Sequence, residues 1–298
     1  MIIRALDLQK SYGRFDALRG LTLSVPEGSA FALIGPNGAG KTTTIKVLMN
    51  ILSPSAGSAT VLGVDSREIS PREIAQIGYV AENQDMPGRM TVAQYLKYLR
   101  PFYPNWDRSL EQTLLGQFRL PLERRIRDLS HGMRMKMCLA CALPFRPKLL
   151  VLDEPFSGLD PLVRDELTEG LVEQIGATTI LVSSHELSDL EGLATHVGYI
   201  DQGRVLFQES MDDLTARLRE VRVTLTREAV VPAKGPSTWL QVCAEGNVLS
   251  FVETRFVEDE LPARIAAVLP GVRNIDIQPI NLRSIFTAIA RDAQREGG

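Results

Sequence analysis

Residues 35–42 constrain the fold more than any other part of this 298-residue chain, because Gly-Pro-Asn-Gly-Ala-Gly-Lys-Thr fits the pattern G-x-x-x-x-G-K-[ST]. The apolar run 31–34 before it is typical of a buried parallel strand, and residues 42–52 have helical periodicity. Glycines let the backbone wrap tightly, so that several N–H groups and the start of the helix face one phosphate. The pattern predicts a phosphate-binding loop in a parallel α/β fold.

The polar groups of this loop have expected partners on a nucleotide. The Lys41 ammonium is expected to reach the β- and γ-phosphates, and the Thr42 hydroxyl is expected to ligate Mg²⁺. The predicted nucleotide-binding residues of the loop are Gly35, Pro36, Asn37, Gly38, Ala39, Gly40, Lys41, Thr42 and Thr43.

A second motif supplies two adjacent carboxylates. The apolar run 149–152 indicates a buried strand, which would bring Asp153 to the strand end beside the phosphate loop. Asp153 is expected to hold Mg²⁺, directly or through water. Glu154 is expected to point at the γ-phosphate, where a carboxylate can orient and deprotonate the attacking water. Taken alone, an Asp-Glu pair after a strand also fits a helix N-cap, and the phosphate loop favours the catalytic interpretation.

Further motifs follow in an order that resembles the ATPase subunits of ABC transporters. Leu-Ser-His-Gly-Met at 129–133 is similar to the family signature, and Ser-Gly-Leu-Asp at 157–160 is similar to the D-loop. His185 matches the switch histidine, for which the resemblance implies contact with the γ-phosphate. Tyr12 falls where the family stacks an aromatic ring on adenine, although it could instead cover the edge of the first strands. The resemblance covers about residues 2–215.

The resemblance implies a fold, two ligands and an assembly. The fold is of the α/β class, a P-loop NTPase core with an ABC-type helical subdomain at about 83–146 and an antiparallel β subdomain. The ligands are ATP and Mg²⁺. Each ATP is expected to lie between the phosphate loop of one subunit and the signature of the other in a head-to-tail dimer. Ser130 and the Gly132 backbone are then expected to contact the γ-phosphate in trans, and Asp160 joins the nucleotide-binding set.

The chain departs from the family pattern at two motifs. His131 and Met133 replace the usual glycine and glutamine of the signature. The pair that faces the phosphate, Ser130 and Gly132, is retained. Glu82 stands where the family has the glutamine of its Q-loop, and Gln84 follows two residues later. Either Glu82 takes over the contacts to Mg²⁺ and water, or the loop is shifted and Gln84 makes these contacts. A carboxylate is a harder oxygen ligand than an amide, so we favour Glu82 as the catalytic and metal-binding residue.

The segment after this loop leads into a helix in the region where, by the resemblance, a permease docks its cytoplasmic helices. Met86 and Met90 are adaptable apolar residues that suit such a groove, and they equally suit the core of the helical subdomain itself. The sequence leaves both interpretations open.

The remainder of the chain is predicted to form a second domain. We expect an ATPase domain at 1–215 and a small accessory α+β domain at 216–298, which could serve in dimerisation, in regulation or as a cap. Residues 281–286, Asn-Leu-Arg-Ser-Ile-Phe, resemble the closing helix of ATPases that export drugs, antibiotics and polysaccharides. Together with Glu82, this resemblance favours an exporter-type subclass.

The composition of the chain limits the kinds of partner that it can bind. The net charge of −3 and the 6% aromatic content disfavour a nucleic-acid partner. No apolar run reaches the roughly 18 residues that cross a bilayer, so a separate integral membrane permease must supply the transport path. The chain is therefore expected in the cytoplasm, peripheral on the membrane, as a homodimer or a heterodimer with a related ATPase. The alternative is a soluble ABC-type ATPase that acts on ribosomes or DNA.

Overall fold

A computed structural model describes residues 1–82, 84–186, 190, 192–232 and 235–280. Contacts divide the chain into two compact units, Met1–Gln208 and Glu209 onward. The division lies just before the helix Met211–Arg217, whereas the domain boundary predicted from the sequence, near residue 215, falls within that helix. The segment 281–286, whose resemblance favours an exporter, lies outside the described residues.

The first unit contains most of the strands and helices. Its first half comprises β1 (Ile3–Tyr12), β2 (Phe15–Val25), β3 (Ala30–Ile34), α1 (Lys41–Leu48), β4 (Ala56–Val61), β5 (Val64–Asp65), α2 (Pro71–Ile74) and β6 (Ile77–Ala81). The rest comprises α3 (Val92–Leu99), α4 (Arg108–Gln117), α5 (His131–Ala142), β7 (Leu149–Asp153), α6 (Pro161–Val172), β8 (Thr179–Ser184), β9 (His196–Asp201) and β10 (Arg204–Ser210), the last of which continues past the division.

A six-stranded sheet in the order β10-β9-β3-β8-β7-β6 carries the predicted motifs. Every residue of β3, β7 and β8 is buried, as expected of parallel strands whose two faces are both covered. The pairing of β6, β7, β8, β3 and β9 is parallel, so their carboxyl ends meet at one edge. Asp153 pairs with Ser183 there, and Ile34 pairs with Ser184. This register brings the phosphate loop beside the two carboxylates.

An antiparallel sheet in the order β2-β1-β4-β5 forms a second layer of the first unit. Its buried side chains share one apolar cluster with β3 and α1, and Leu8, Leu21 and Ile45 are fully buried members. Between β6 and β7 the chain is mainly helical. Both features agree with the α/β fold that the family resemblance implies.

The helical region contains an internal ion pair. Glu111 in α4 has no exposed surface, and its carboxylate accepts hydrogen bonds from the Arg100 guanidinium and from Trp106 Nε1 at 2.6 Å. A buried carboxylate needs such partners because it has lost its contact with water. Cys138 in α5 is also buried, and burial raises the pKa of its thiol to about 12. This agrees with a core role for Cys138.

The second unit is a small α+β domain. It comprises α7 (Met211–Arg217), β11 (Arg219–Leu225), β12 (Trp239–Glu245), β13 (Val248–Glu253), α8 (Leu261–Val268) and β14 (Val272–Pro279). The strands form an antiparallel sheet in the order β12-β13-β11-β14. The rings of Phe251 and Trp239 stack with their centroids 3.9 Å apart, within the apolar cluster of this unit. No helix among the residues described above is long and apolar enough to span a membrane.

Candidate active site

The phosphate loop turns tightly between β3 and α1. Gly40 caps α1 with a left-handed φ of 110°, a conformation that favours glycine. Gly35 must also lack a side chain, because a Cβ atom there would lie 2.1 Å from the Ile200 carbonyl oxygen. The Gly35 N–H donates to the Ser184 carbonyl oxygen at 3.3 Å, which ties the loop to the end of β8.

Lys41 is the buried cation of this loop. Its side chain is 5% exposed, and its Nζ donates to the carbonyl oxygens of Gly35 at 2.6 Å and Pro36 at 3.2 Å. The same Nζ lies 3.1 Å from Glu154 Oε1. The ion pair compensates the charge of the buried lysine.

Glu154 is held between two partners. Its Oε1 faces Lys41, and its Oε2 lies 2.8 Å from His185 Nδ1 and accepts the His185 backbone N–H at 3.3 Å. The Glu154 backbone has a φ of 52°, an uncommon value for a residue other than glycine, and its N–H donates to Ser183 Oγ at 3.0 Å. The predicted base and the predicted switch histidine are therefore in direct contact.

The oxygen atoms beside this carboxylate suit Mg²⁺. Thr42 Oγ1 donates to Asp153 Oδ1 at 3.1 Å, and Ser183 Oγ donates to the same oxygen at 2.7 Å. Burial raises the pKa of Asp153, and the charge of Glu154 adds to this, while the two hydroxyl hydrogen bonds oppose it. Hydroxyl and carboxylate oxygens are the ligands that Mg²⁺ prefers, and Mg²⁺ sites usually take few protein ligands beside phosphates and water. The donor set therefore fits the ion.

In the described ranges no group of three or more histidine, cysteine or acidic side chains could hold a metal. Ser183 was not predicted from the sequence, although its position at the end of a buried strand, two residues before His185, is a usable signal.

An open cavity lies against Lys41, Thr42 and Glu154. It is lined by Phe15, Ala17, Asn37, Gly38, Gly40, Lys41, Thr42, Thr43, Glu82 and Glu154. Glu82 thus lines the cavity, whereas Gln84 lines a neighbouring groove with Met86 and Cys138. Of the two Q-loop alternatives, Glu82 is the one beside the phosphate loop.

The aromatic residue that lines the cavity is Phe15, which is 59% exposed. Tyr12 is 46% exposed and is not among the lining residues, but it pairs with Phe15 where β1 meets β2. Lys10 Nζ lies 5.3 Å from the Tyr12 ring centroid. Phe15 was not predicted from the sequence, although an aromatic residue three positions after Tyr12 is a usable signal.

The signature and the D-loop each begin a helix. Ser130 caps α5 and its Oγ accepts the Met133 N–H at 3.3 Å, while Asp160 caps α6 and accepts the Val163 N–H at 3.0 Å. Neither Ser130, Gly132 nor Asp160 lines the cavity of the phosphate loop. Within one chain the structure does not bring these residues to the predicted nucleotide.

Comparison with known proteins gives concordant matches. The family model described as ABC transporter matches residues 18–157. The lantibiotic transport ATP-binding protein SrtF of Streptococcus pyogenes is 33% identical over 217 residues, which cover 71% of this chain and 92% of SrtF. The probable multidrug ABC transporter ATP-binding protein YbhF of Escherichia coli is 32% identical over 224 residues. That match covers 72% of this chain but only 38% of YbhF.

A solved structure described as the ATP-binding subunit of an ABC transporter is 30% identical to this chain. Its TM-score is 0.66, and the match covers 72% of this chain and 92% of that one. The residues that the family model matches include the phosphate loop and both carboxylates of the second motif. The chain therefore belongs to the family of ABC transporter ATP-binding proteins.

Proposed function

We propose that this chain is the ATP-hydrolysing subunit of an exporter, which works as a dimer on the cytoplasmic face of the membrane and powers a separate permease. The observation that carries the proposal is the convergence of Lys41, Glu154 and His185 beside the Thr42–Asp153 pair. This arrangement combines a phosphate-binding cation, a base and its orienting partner with oxygen ligands for a metal. The cargo would be a drug, an antibiotic, a lipid or a polysaccharide.

Nucleotide binding would release an existing contact. Lys41 is paired with Glu154 at 3.1 Å, and the γ-phosphate offers the ammonium a stronger anionic partner. The Glu154 carboxylate would then be free to accept a proton from water. His185, 2.8 Å from Glu154 Oε2, holds the carboxylate in place. ATP binding thus prepares the base while the phosphates fill the loop.

Hydrolysis follows from this geometry. A water oxygen attacks the γ-phosphorus, Glu154 accepts the water proton, and the bond between the γ-phosphorus and the bridging oxygen breaks to give ADP and phosphate. Mg²⁺, held by Thr42 and Asp153 with Glu82 nearby, would neutralise charge on the phosphate oxygens. Asp153 must be ionised for this role.

The phosphate loop covers only one side of a nucleotide, which supports the dimer. Helix α5 begins directly after the exposed Ser130, and its N-terminal N–H groups could face a γ-phosphate bound by a second subunit. This is the head-to-tail assembly expected from the resemblance. Binding of ATP would join the two subunits, and hydrolysis would release them.

A groove beside the site suits a partner helix. The residues that line this groove include Glu82, Gln84, Met86, His131 and Cys138. Methionine and cysteine side chains adapt to apolar partners, and the polar rim adjoins the cavity through Glu82. We propose that a cytoplasmic helix of the permease docks here. The exporter assignment is supported by the names of two relatives: SrtF is named for lantibiotic transport, and YbhF is named as part of a probable multidrug transporter.

The test is affinity purification of tagged Glu154→Gln from gently solubilised native membranes with ATP and Mg²⁺, followed by mass spectrometry. Removing the base should trap the ATP-bound dimer, so a polytopic membrane protein should co-purify in stoichiometric amount. The purified variant should bind ATP with hydrolysis at least about a hundredfold slower than wild type.

The matched control is the double variant Lys41→Ala with Glu154→Gln, which should bind no ATP and should lose any ATP-dependent dimer. Normal ATP turnover by Glu154→Gln would contradict its role as the base. Recovery with ribosomal or DNA-bound proteins, and no membrane protein, would instead establish the soluble ABC-type ATPase.

A further inference from the structure

His131 makes a specific contact with the loop that follows the second motif. Its Nε2 lies 3.0 Å from the Ser157 carbonyl oxygen. A carbonyl only accepts hydrogen bonds, so Nε2 must carry the proton and donate. His131 stands where the signature of the family usually has glycine, which could not make this bond. The bond therefore depends on the histidine at this position.

Two neighbouring contacts fix the same pair of segments. A Cβ atom on Gly132 would lie 3.1 Å from Val163 Cγ1, so the signature turn packs closely on α6. One turn later the Lys136 ammonium, on a largely buried side chain, forms an ion pair with Glu166 of α6. Helix α5 and the segment from Ser157 into α6 are thus joined at three successive points.

The Ser157 peptide continues toward the catalytic carboxylate. The Ser157 backbone N–H donates to the Glu154 carbonyl oxygen at 3.3 Å, closing a turn at the strained Glu154 backbone. The Glu154 side chain in turn contacts Lys41 and His185. A continuous path of hydrogen bonds and ion pairs therefore runs from the signature turn to the base of the same subunit.

We infer that His131 is a positioning residue that couples the two nucleotide sites of the dimer. In the proposed assembly, on which this inference rests, the signature turn serves the nucleotide of the partner subunit and Glu154 serves the subunit's own. A shift of the signature turn when it engages the partner's nucleotide moves His131, and the bond to Ser157 transmits that shift to the turn that holds Glu154. Hydrolysis at one site then depends on occupancy of the other.

The test compares two variants of the full chain. His131→Phe keeps a planar ring but has no donor, whereas the side-chain amide of His131→Gln can donate to the Ser157 carbonyl. ATPase rates are measured over a range of ATP concentrations. For His131→Phe we expect kcat to fall about three- to tenfold, the size of one lost hydrogen bond. We expect its Hill coefficient to approach one, with KM for ATP changed less than about twofold. His131→Gln should restore both kcat and the Hill coefficient.

Further measurements keep the outcomes distinct. Circular dichroism and thermal unfolding check that both variants fold, and His196→Gln, a histidine change at the start of β9, should leave the kinetics unchanged. Dimer formation with ATP is measured by size-exclusion chromatography in the Glu154→Gln background. Normal dimers with wild-type kinetics for His131→Phe would overturn the coupling role alone. A fall in kcat and in the Hill coefficient that His131→Gln does not restore would also overturn the coupling role alone. Absence of any ATP-dependent dimer would overturn the proposed assembly and the coupling together.

Discussion

At the scale of single residues, two adjacent residues of the site have features that oppose stability. Asp153 ends a fully buried strand, and burial raises the pKa of its carboxyl above the ordinary value. Glu154 next to it adopts a left-handed backbone conformation. Such features cost folding free energy and persist because the surrounding sheet and its hydrogen bonds hold them. They are the expected price of a site that must bind phosphate and metal.

Asp153→Asn should therefore stabilise the chain while it abolishes function. The neutral amide oxygen can still accept from Ser183 and Thr42, so the unfolding free energy at pH 7 should rise by about 0.5–2 kcal/mol. ATPase activity should fall at least about a hundredfold. Urea denaturation and a phosphate-release assay measure the two effects.

The pH dependence of this difference follows from linkage. Because the pKa of Asp153 is higher in the folded chain than in the unfolded chain, its ionisation destabilises the fold. The advantage of Asp153→Asn should be absent below the ordinary aspartate pKa, grow as pH rises to the raised pKa, and then level off. An advantage that grows instead as pH falls would show that the carboxylate is net stabilised in the fold.

At the scale of elements, an ion pair with a fully buried carboxylate links the end of α3 to α4. Arg100 and Trp106 together satisfy the fully buried carboxylate of Glu111 in α4. Most of the value of such a pair lies in avoiding an unpaired buried charge. Loss of Arg100 is therefore expected to cost more free energy, by leaving the Glu111 charge uncompensated, than the attraction between the two charges contributes.

Arg100→Met should destabilise the first unit by about 3–5 kcal/mol, because it leaves the Glu111 charge uncompensated. Adding Glu111→Gln removes that charge and keeps an acceptor for Trp106 Nε1, so the double variant should recover most of the loss. Urea unfolding followed by tryptophan fluorescence measures both. A double variant less stable than Arg100→Met would mean that the carboxylate is satisfied without the arginine.

At the scale of the whole molecule, the chain consists of two units, and the second has an apolar cluster of its own. All predicted nucleotide-binding and catalytic residues lie in the first unit. A ligand that binds only the folded first unit stabilises that unit and not the second. The two units should therefore respond separately to ligand and to mutation.

Calorimetry should show two transitions. In the Glu154→Gln chain, ATP at 100 times its Kd, with Mg²⁺, should stabilise the first unit, and so its transition, by about 2.7 kcal/mol. Phe251→Ala, in the core of the second unit, should weaken the other by about 3–5 kcal/mol and leave ATP affinity unchanged. The matched control Phe118→Ala should weaken the ATP-responsive transition. A single transition moved by all three changes would contradict the independence of the units.

The main elements of the site could be predicted because they are local. The order strand, glycine loop, helix is written in consecutive residues, and β3 and α1 appear at the predicted places. Strands without a strong apolar run, such as β4 and β14, and the helix α6 were not predicted. The residues of β4 and β14 owe their conformation to strand partners far away in the chain. Helix α6 did have a local signal, the Asp160 cap followed by Pro161.

The sequence by itself determined the chemistry of this protein: the loop 35–42, the Asp153–Glu154 pair and the family to which they belong. Short motifs do this because their backbone geometry and functional groups are set by neighbouring residues. Only the tertiary structure decided that Lys41 pairs with Glu154, that Ser183 supports Asp153, and that His131 reaches Ser157. Those contacts join residues distant in sequence, and strand register and helix packing bring them within hydrogen-bond distance.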